Sequence, residues 1–182
     1  VKHSHSVHYS IIPVNPEAHL FRINCTVEQP DPAGQRLSMP NWIPGSYMIR
    51  DFARNIVWLT ARSGDRELQV QKQDKSNWQV EACEGTLHIE YEVYAWDLSV
   101  RGAHLDTTHG YFNATSVFLA VNGQTDSPCS VEIKPPQGSN YQSWRVATTL
   151  PRLEANLYEF GLYQANDYDE LLDHPVEMGN FD

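Results

Sequence analysis

The sequence has none of the short signatures that usually carry catalysis. H-E-x-x-H, G-x-S-x-G, the P-loop and G-x-G-x-x-G are all absent, which excludes a self-contained zincin, an elbow hydrolase, and a phosphate- or dinucleotide-binding turn. Apolar runs are short; none approaches the roughly 20 residues of a membrane helix. Cysteine is scarce, with Cys25, Cys83 and Cys129 far apart and no C-x-x-C pair. That suits a reducing compartment, or one incidental pair, better than a disulfide framework. The first residues, "VKHSHSVHYS", hold neither an initiator Met nor an apolar signal core. The cytoplasm is slightly favoured, and export stays undecided.

Basic residues also run out. After Arg152 there is no Lys or Arg, while Glu154, Glu159, Asp167, Asp169, Glu170, Asp173, Glu177 and Asp182 follow, nearly the whole of the net charge of −10. A chain without a basic stripe is a poor ligand for nucleic acid. The acidic end reads as a solvated surface or as a field that attracts cations, such as a peptide's α-amine. Hydrophobic content of 41% over 182 residues suits one globular domain with a core, residues 1–182, in which 166–182 form an acidic connector.

Alternation is the strongest pattern present. In "TLHIEYEVYAW", Leu87, Ile89, Tyr91, Val93 and Ala95 face one way and His88, Glu90 and Glu92 the other, which predicts a half-buried strand. Residues 7–14, 19–28, 55–62, 68–73, 77–82 and 129–135 read the same way, separated by turn clusters such as "VNPEA", "QPDPAGQ" and "RSGDRE". The first four strands are expected to pair as hairpins or meanders. Helical pattern is limited to "TSVFLAVN" at 115–122, with Thr115 as its N-cap, and to 166–175, capped by Asn166 or Asp167 and ended by Pro175. The expected fold is mainly β: a β-sandwich or saddle-like pair of antiparallel sheets with one or two short helices.

Two stretches break the alternation. "SMPNWIPGSYMIRDFARN" (38–55) carries Pro40, Trp42, Pro44, Gly45, Ser46, Tyr47, Arg50 and Asp51. Pro44-Gly45 fits a type II turn, and Trp42 and Tyr47 can pack over it, so a rigid corner is favoured over a ligand loop. "YAWDLSVRGAHLDTTHGYFNATS" (94–116) is a long irregular segment of the kind that often carries function. In it Arg101 offers a partner for a carboxylate, and Tyr111 and Asn113 offer hydrogen bonds. The eight histidines are poorly spaced for a metal: His3, His5 and His8 lie at or near the terminus, and His104 and His109 have opposite parity and need a loop to converge. No metal site is read in them.

The blocks "MPNWIPGSYMIRDFARN", "DKSNWQV", "YEVYAWDLSVRGAHLD", "GYFNATSVFL" and "YDELLDHPVEMGNF", in this order, resemble the N-terminal domain of the glycyl aminopeptidase family. These are H-E-x-x-H zinc metallopeptidases, often with a PDZ domain at the far end. The resemblance covers about Tyr9 to Phe181, with His19 and Trp144 as smaller echoes. It implies a β domain like the one preceding the catalytic domain in aminopeptidase N relatives. It also implies zinc chemistry in a downstream catalytic domain, with two His and a Glu as ligands. None of those ligands can be placed on this sequence, so the chain by itself is expected to be inactive, without a cofactor of its own. Its partners would be that catalytic domain and, in the whole enzyme, a peptide whose amine Asp169, Glu170 and Glu177 help to fix. An apolar docking face, and dimers formed through it, are expected of the isolated domain. The competing reading is a stand-alone β module for protein or carbohydrate, with Trp42, Trp78, Trp96 and Tyr111 stacking on sugars.

Overall fold

The computed structural model describes residues 6–42 and 48–181. The expected turn at Pro44 and Gly45, with Ser46 and Tyr47, lies outside the described residues, as do His3 and His5. The chain runs through β1 (Val7–Asn15), β2 (Leu20–Val27), β3 (Gln35–Ser38), a 3-10 turn at Phe52–Asn55, β4 (Ile56–Ser63) and β5 (Arg66–Leu68). Next come β6 (Val70–Lys72), β7 (Asn77–Val80), β8 (Leu87–Tyr94), β9 (Ala103–Leu105) and β10 (His109–Phe112). A 3-10 turn at Ala114–Ser116 leads to β11 (Ala120–Val121) and β12 (Cys129–Ile133). After a third such turn at Ser139–Tyr141 come β13 (Arg145–Thr148), β14 (Gly161–Ala165), α1 (Tyr168–Leu172) and β15 (Val176–Gly179).

The strands form three sheets. The largest has seven strands in the order β14-β12-β1-β2-β8-β4-β5; the others have four each, β13-β15-β10-β9 and β11-β3-β7-β6. The mainly β fold follows the sequence reading, with a third sheet beside the expected pair. Each long alternating run is a strand: β1 and β2 bury every second residue, the mark of a sheet with one face on the core. The expected meander holds only in part. β1 and β2 form a hairpin, but β8 inserts between β2 and β4, and β1 pairs β12 in parallel. Local alternation specifies a strand and its buried face; it carries no address for a distant neighbour.

Phe21 on β2 meets Phe112 on β10 edge-on, with ring centroids 5.7 Å apart, and Phe112 meets Phe118 at the same separation. These contacts join the large sheet to the sheet holding β10. Burying each Phe side chain contributes about 1.5–3 kcal/mol, so these rings add to what holds the two sheets together. On the large sheet Glu92 is 8% exposed and accepts from Trp58 Nε1 at 2.7 Å, with Arg22 at 3.6 Å. The buried carboxylate therefore has a donor and a counter-charge, as burial requires.

The region read as a helix at 115–122 is mostly something else. It opens with the 3-10 turn at 114–116, and the cap is Asn113, whose side chain accepts from Thr115 N, rather than Thr115. Beyond it three buried tyrosines take three consecutive carbonyls. Tyr91 donates to Val117 O, Tyr168 to Phe118 O at 2.6 Å and Tyr9 to Leu119 O at 2.6 Å. Tyr91 also accepts from Leu119 N at 3.1 Å. Phenols from β1, β8 and α1 thus serve these carbonyls, and the Leu119 N–H is spent on Tyr91 instead of a helical carbonyl. The expectation at 166–175 holds well. Asp167 caps α1 by accepting from Glu170 N at 2.7 Å, and Glu170 reaches back to Asn166 N at 2.6 Å, close to a capping box.

The proline-rich corner closes on itself: Arg50 N donates to Asn41 O at 2.7 Å. Met39 and Phe52 on either side are buried, while Trp42, Met48 and Ile49 are exposed. Asp51 precedes the 52–55 turn but gives it no side-chain cap. Arg50 Nε is buried without a hydrogen bond among the described residues.

Candidate functional site

The irregular segment 94–112 is built from two tight reversals. In the first, Ser99 N donates to Asp97 Oδ1 at 2.9 Å, Gly102 N to Ser99 O and Asp97 N to Ala103 O. A Cβ at Gly102 would lie 2.5 Å from the Asp97 carboxylate, so only glycine closes this reversal without displacing Asp97. Its outward residues are Leu98 and Val100, 75% and 72% exposed. Tyr94 and Trp96 (44% and 55% exposed) precede them, so large exposed apolar side chains stand at four alternate positions along the sequence.

The second reversal joins β9 to β10. Asp106 Oδ1 accepts from Thr108 N, Thr108 Oγ1 and His109 N, at 2.7, 2.6 and 3.0 Å, while Oδ2 accepts from His104 Nε2 at 2.9 Å. Burial alone would raise this carboxyl's pKa. The hydrogen bonds from Thr108, His104 and the two backbone amides outweigh it and hold the group well below the usual carboxylate range. The turn supplies the loop that the opposite parity of His104 and His109 requires. His104 faces Tyr111 across the hairpin, and His109 lies two residues from Tyr111 on the same strand, hence on the same face.

The result is a ladder of rings. His19 lies against Trp96 (centroids 4.0 Å apart), Trp96 against His104 (4.8 Å), and His104 against His109 (4.9 Å, planes 27° apart). His19 adopts φ 62, a conformation unusual for a non-glycine residue. It is held there by Nδ1 on Leu105 O at 2.6 Å and by its carbonyl on Ala95 N. His104 is 2% exposed, and its Nδ1 has no hydrogen bond among the described residues. Donor atoms of His104, Asp106 and His109 all lie within 4.8 Å of one another.

The residues singled out from the sequence divide here. Tyr111 and Glu177 are cross-strand neighbours on β10 and β15. Tyr111 donates to Val100 O at 2.7 Å, and burial, then the Glu177 charge, raises its pKa. Arg101, Asp169 and Glu177 are exposed, whereas the Glu170 carboxylate is engaged at the start of α1. Asn113 is buried, its Oδ1 accepting from Thr115 N and Oγ1. Its hydrogen bonds are spent inside the fold. Of the four aromatics named for sugar stacking, Trp78 is 5% exposed and buried in the core. One of the two sides of the Trp96 ring system is taken by His19 and another contact by His104. The His104–Asp106–His109 cluster was missed because opposite parity hid it; the signal that could have found it is the Asp-Thr-Thr turn between the two histidines.

All three cysteines are free; Cys25 and Cys129 are buried, and burial pushes the Cys129 thiol up to about 12. No helix among the described residues is long and apolar enough to cross a membrane.

The described residues form a mainly β domain from which Leu98 and Val100 project into solvent. Comparison with solved structures agrees. An aminopeptidase N family protein from Idiomarina loihiensis is 43% identical, with a TM-score of 0.91 over 95% of this chain. An M1 zinc metallopeptidase from Deinococcus radiodurans shares the fold at 11% identity, TM-score 0.50 and 95% coverage. A single-substitution mutant of that enzyme gives 10%, 0.53 and 95%. No curated relative matches the sequence. The peptidase M61 N-terminal domain model matches residues 8–180, and the chain belongs to that family. It spans 29% of the Idiomarina chain and 40–41% of the two Deinococcus chains.

Proposed function

We propose that this domain serves a zinc aminopeptidase as its N-terminal, non-catalytic part, docking the catalytic domain and walling one side of the substrate cleft. The row Tyr94, Trp96, Leu98 and Val100 carries the reading. A loop as tightly hydrogen-bonded as 97–102 has fixed its outward side chains, and exposing Leu98 and Val100 to water from a rigid loop is unfavourable unless a partner covers them. β15 joins this surface to the acidic end, because it pairs with β10 and β10 with β9. The zinc belongs to the catalytic domain, where it would polarise the scissile carbonyl and activate water.

The test replaces Leu98 and Val100 with Asp, in this chain and in a protein that also carries the downstream region. Both residues are solvent-exposed, so the chain alone should keep its unfolding midpoint within about 0.5 kcal/mol. In the longer protein the same change should lower stability by about 2 kcal/mol or more, since two carboxylates would be buried without partners. Equal, small effects in both backgrounds would refute docking through this row.

A further inference from the structure

We propose that His104, Asp106 and His109 form a binding site for a late first-row divalent cation, Zn²⁺ above all, that clips the β9–β10 hairpin. It is separate from any metal of a catalytic domain and does not rest on the docking reading. Two imidazoles and one carboxylate are a zinc-type donor set, whereas Mg²⁺ and Ca²⁺ call for oxygen ligands throughout. With one ligand atom from each residue the three donors already lie within 4.8 Å of one another; His104 Nε2 is 2.9 Å from Asp106 Oδ2, and His109 Nδ1 is 3.5 Å from the other carboxylate oxygen, Oδ1. Bonds of about 2.0–2.2 Å in a tetrahedral site place donors a little over 3 Å apart, so the His104 Nε2–Asp106 Oδ2 pair is close to that spacing and His109 must move to join it.

The His109 ring must tilt towards His104 Nε2 and Asp106 Oδ2, giving up the contact of its Nδ1 with Thr108 Oγ1 at 3.0 Å. His109 can do this because its side chain is 37% exposed, while His104 is fixed by burial at 3%. His104 has no hydrogen bond at Nδ1 among the described residues, so neither tautomer is locked by a partner there. On cation binding the proton on Nε2 moves to Nδ1, Nε2 donates its lone pair to the metal, and the imidazole stays neutral. Asp106 keeps its three Oδ1 contacts from Thr108 and His109, which hold the carboxylate in place for the metal. The fourth position is left to water. The consequence is mechanical: the ion would tie β9 to β10 across their turn. Its effect would be to stiffen the surface that carries Trp96, Tyr111 and Val100.

The chain is titrated with Zn²⁺ by calorimetry and with Co²⁺ by visible absorption, in a background in which His3→Ala and His5→Ala remove terminal imidazoles. The expected result is one Zn²⁺ per chain, d–d bands of a low-coordinate Co²⁺ complex, and a rise in Tm of about 5–10 °C at 100-fold saturation. His109→Ala, a change at a half-exposed side chain, should weaken binding at least tenfold while leaving the metal-free Tm within a few degrees. Asp106→Asn should also weaken it and serves as the second variant. Affinity unchanged by His109→Ala, or binding lost entirely with His3 and His5, would overturn the proposal, as would no Zn²⁺ uptake at 100-micromolar levels.

Discussion

Replacing Tyr91 with Phe removes one oxygen atom from a fully buried site and should be among the costliest conservative changes in the domain. Its hydroxyl serves two backbone groups at once, donating to Val117 O and accepting from Leu119 N. Both lie in a segment where every residue from 117 to 119 is at most 1% exposed, so water cannot substitute. Each stranded buried group costs about 1–3 kcal/mol, which gives roughly 2–6 kcal/mol for the pair. For a domain of this size that corresponds to a fall in Tm of about 5–15 °C. The internal control is Tyr111→Phe, whose hydroxyl serves Val100 O at a solvent-exposed position and should cost less than about 1 kcal/mol. Urea unfolding followed by tryptophan fluorescence measures both. If Tyr91→Phe costs no more than Tyr111→Phe, the tyrosine clamp does not hold the 117–119 segment, and its irregular path has another cause.

Alkali should unfold the domain through the same cluster. Burial raises the hydroxyl pKa values of Tyr9, Tyr91 and Tyr168 well above 10, and the thiol pKa values of Cys25 and Cys129 as well. In the unfolded chain these groups ionise near their ordinary values, so above those values the unfolded state binds fewer protons and stability falls as pH rises. Each group contributes up to about 1.4 kcal/mol per pH unit, beginning near pH 9 with the thiols and steepening above 10 with the phenols. A urea midpoint that stays flat to pH 10.5 would contradict this. In an enzyme carrying this domain, Glu177→Gln should raise KM about tenfold for peptides with a free amine and leave amine-blocked peptides unaffected, measured by steady-state kinetics. Equal effects on both would remove Glu177 from amine binding.

What could be read from the residues and what could not divide along one physical line. Strand identity and buried face are local, so "TLHIEYEVYAW" announced β8, and Asn166 or Asp167 with Pro175 announced α1. Pairing is not local: nothing in "CSVEI" says that β12 lies parallel to β1. The same holds for "TSVFLAVN", whose periodicity fits a helix until phenols from three distant elements take its carbonyls. In the candidate site, Tyr111 and Glu177 were each visible as polar residues, but their adjacency depends on β15 reaching β10. His104 and His109 were judged by a parity rule for one continuous strand, and the Asp106 turn makes two strands of it. The ordered blocks fared better because they carry tertiary information that periodicity lacks.

The position of β15 sets a schedule for the growing polypeptide. This strand occupies the interior of its sheet, between β13 and β10, although it follows the other described strands of this domain in sequence. Until Gly179 clears the ribosome, β10 and β13 each present an open edge with no neighbour on that side. At roughly 5–20 residues per second that exposure lasts on the order of several seconds for β10, long enough for a chaperone, or a second nascent chain, to find the edge first. The final strand therefore acts as a bolt, and a nascent chain cut short of it should be a client for holdases instead of a smaller working domain.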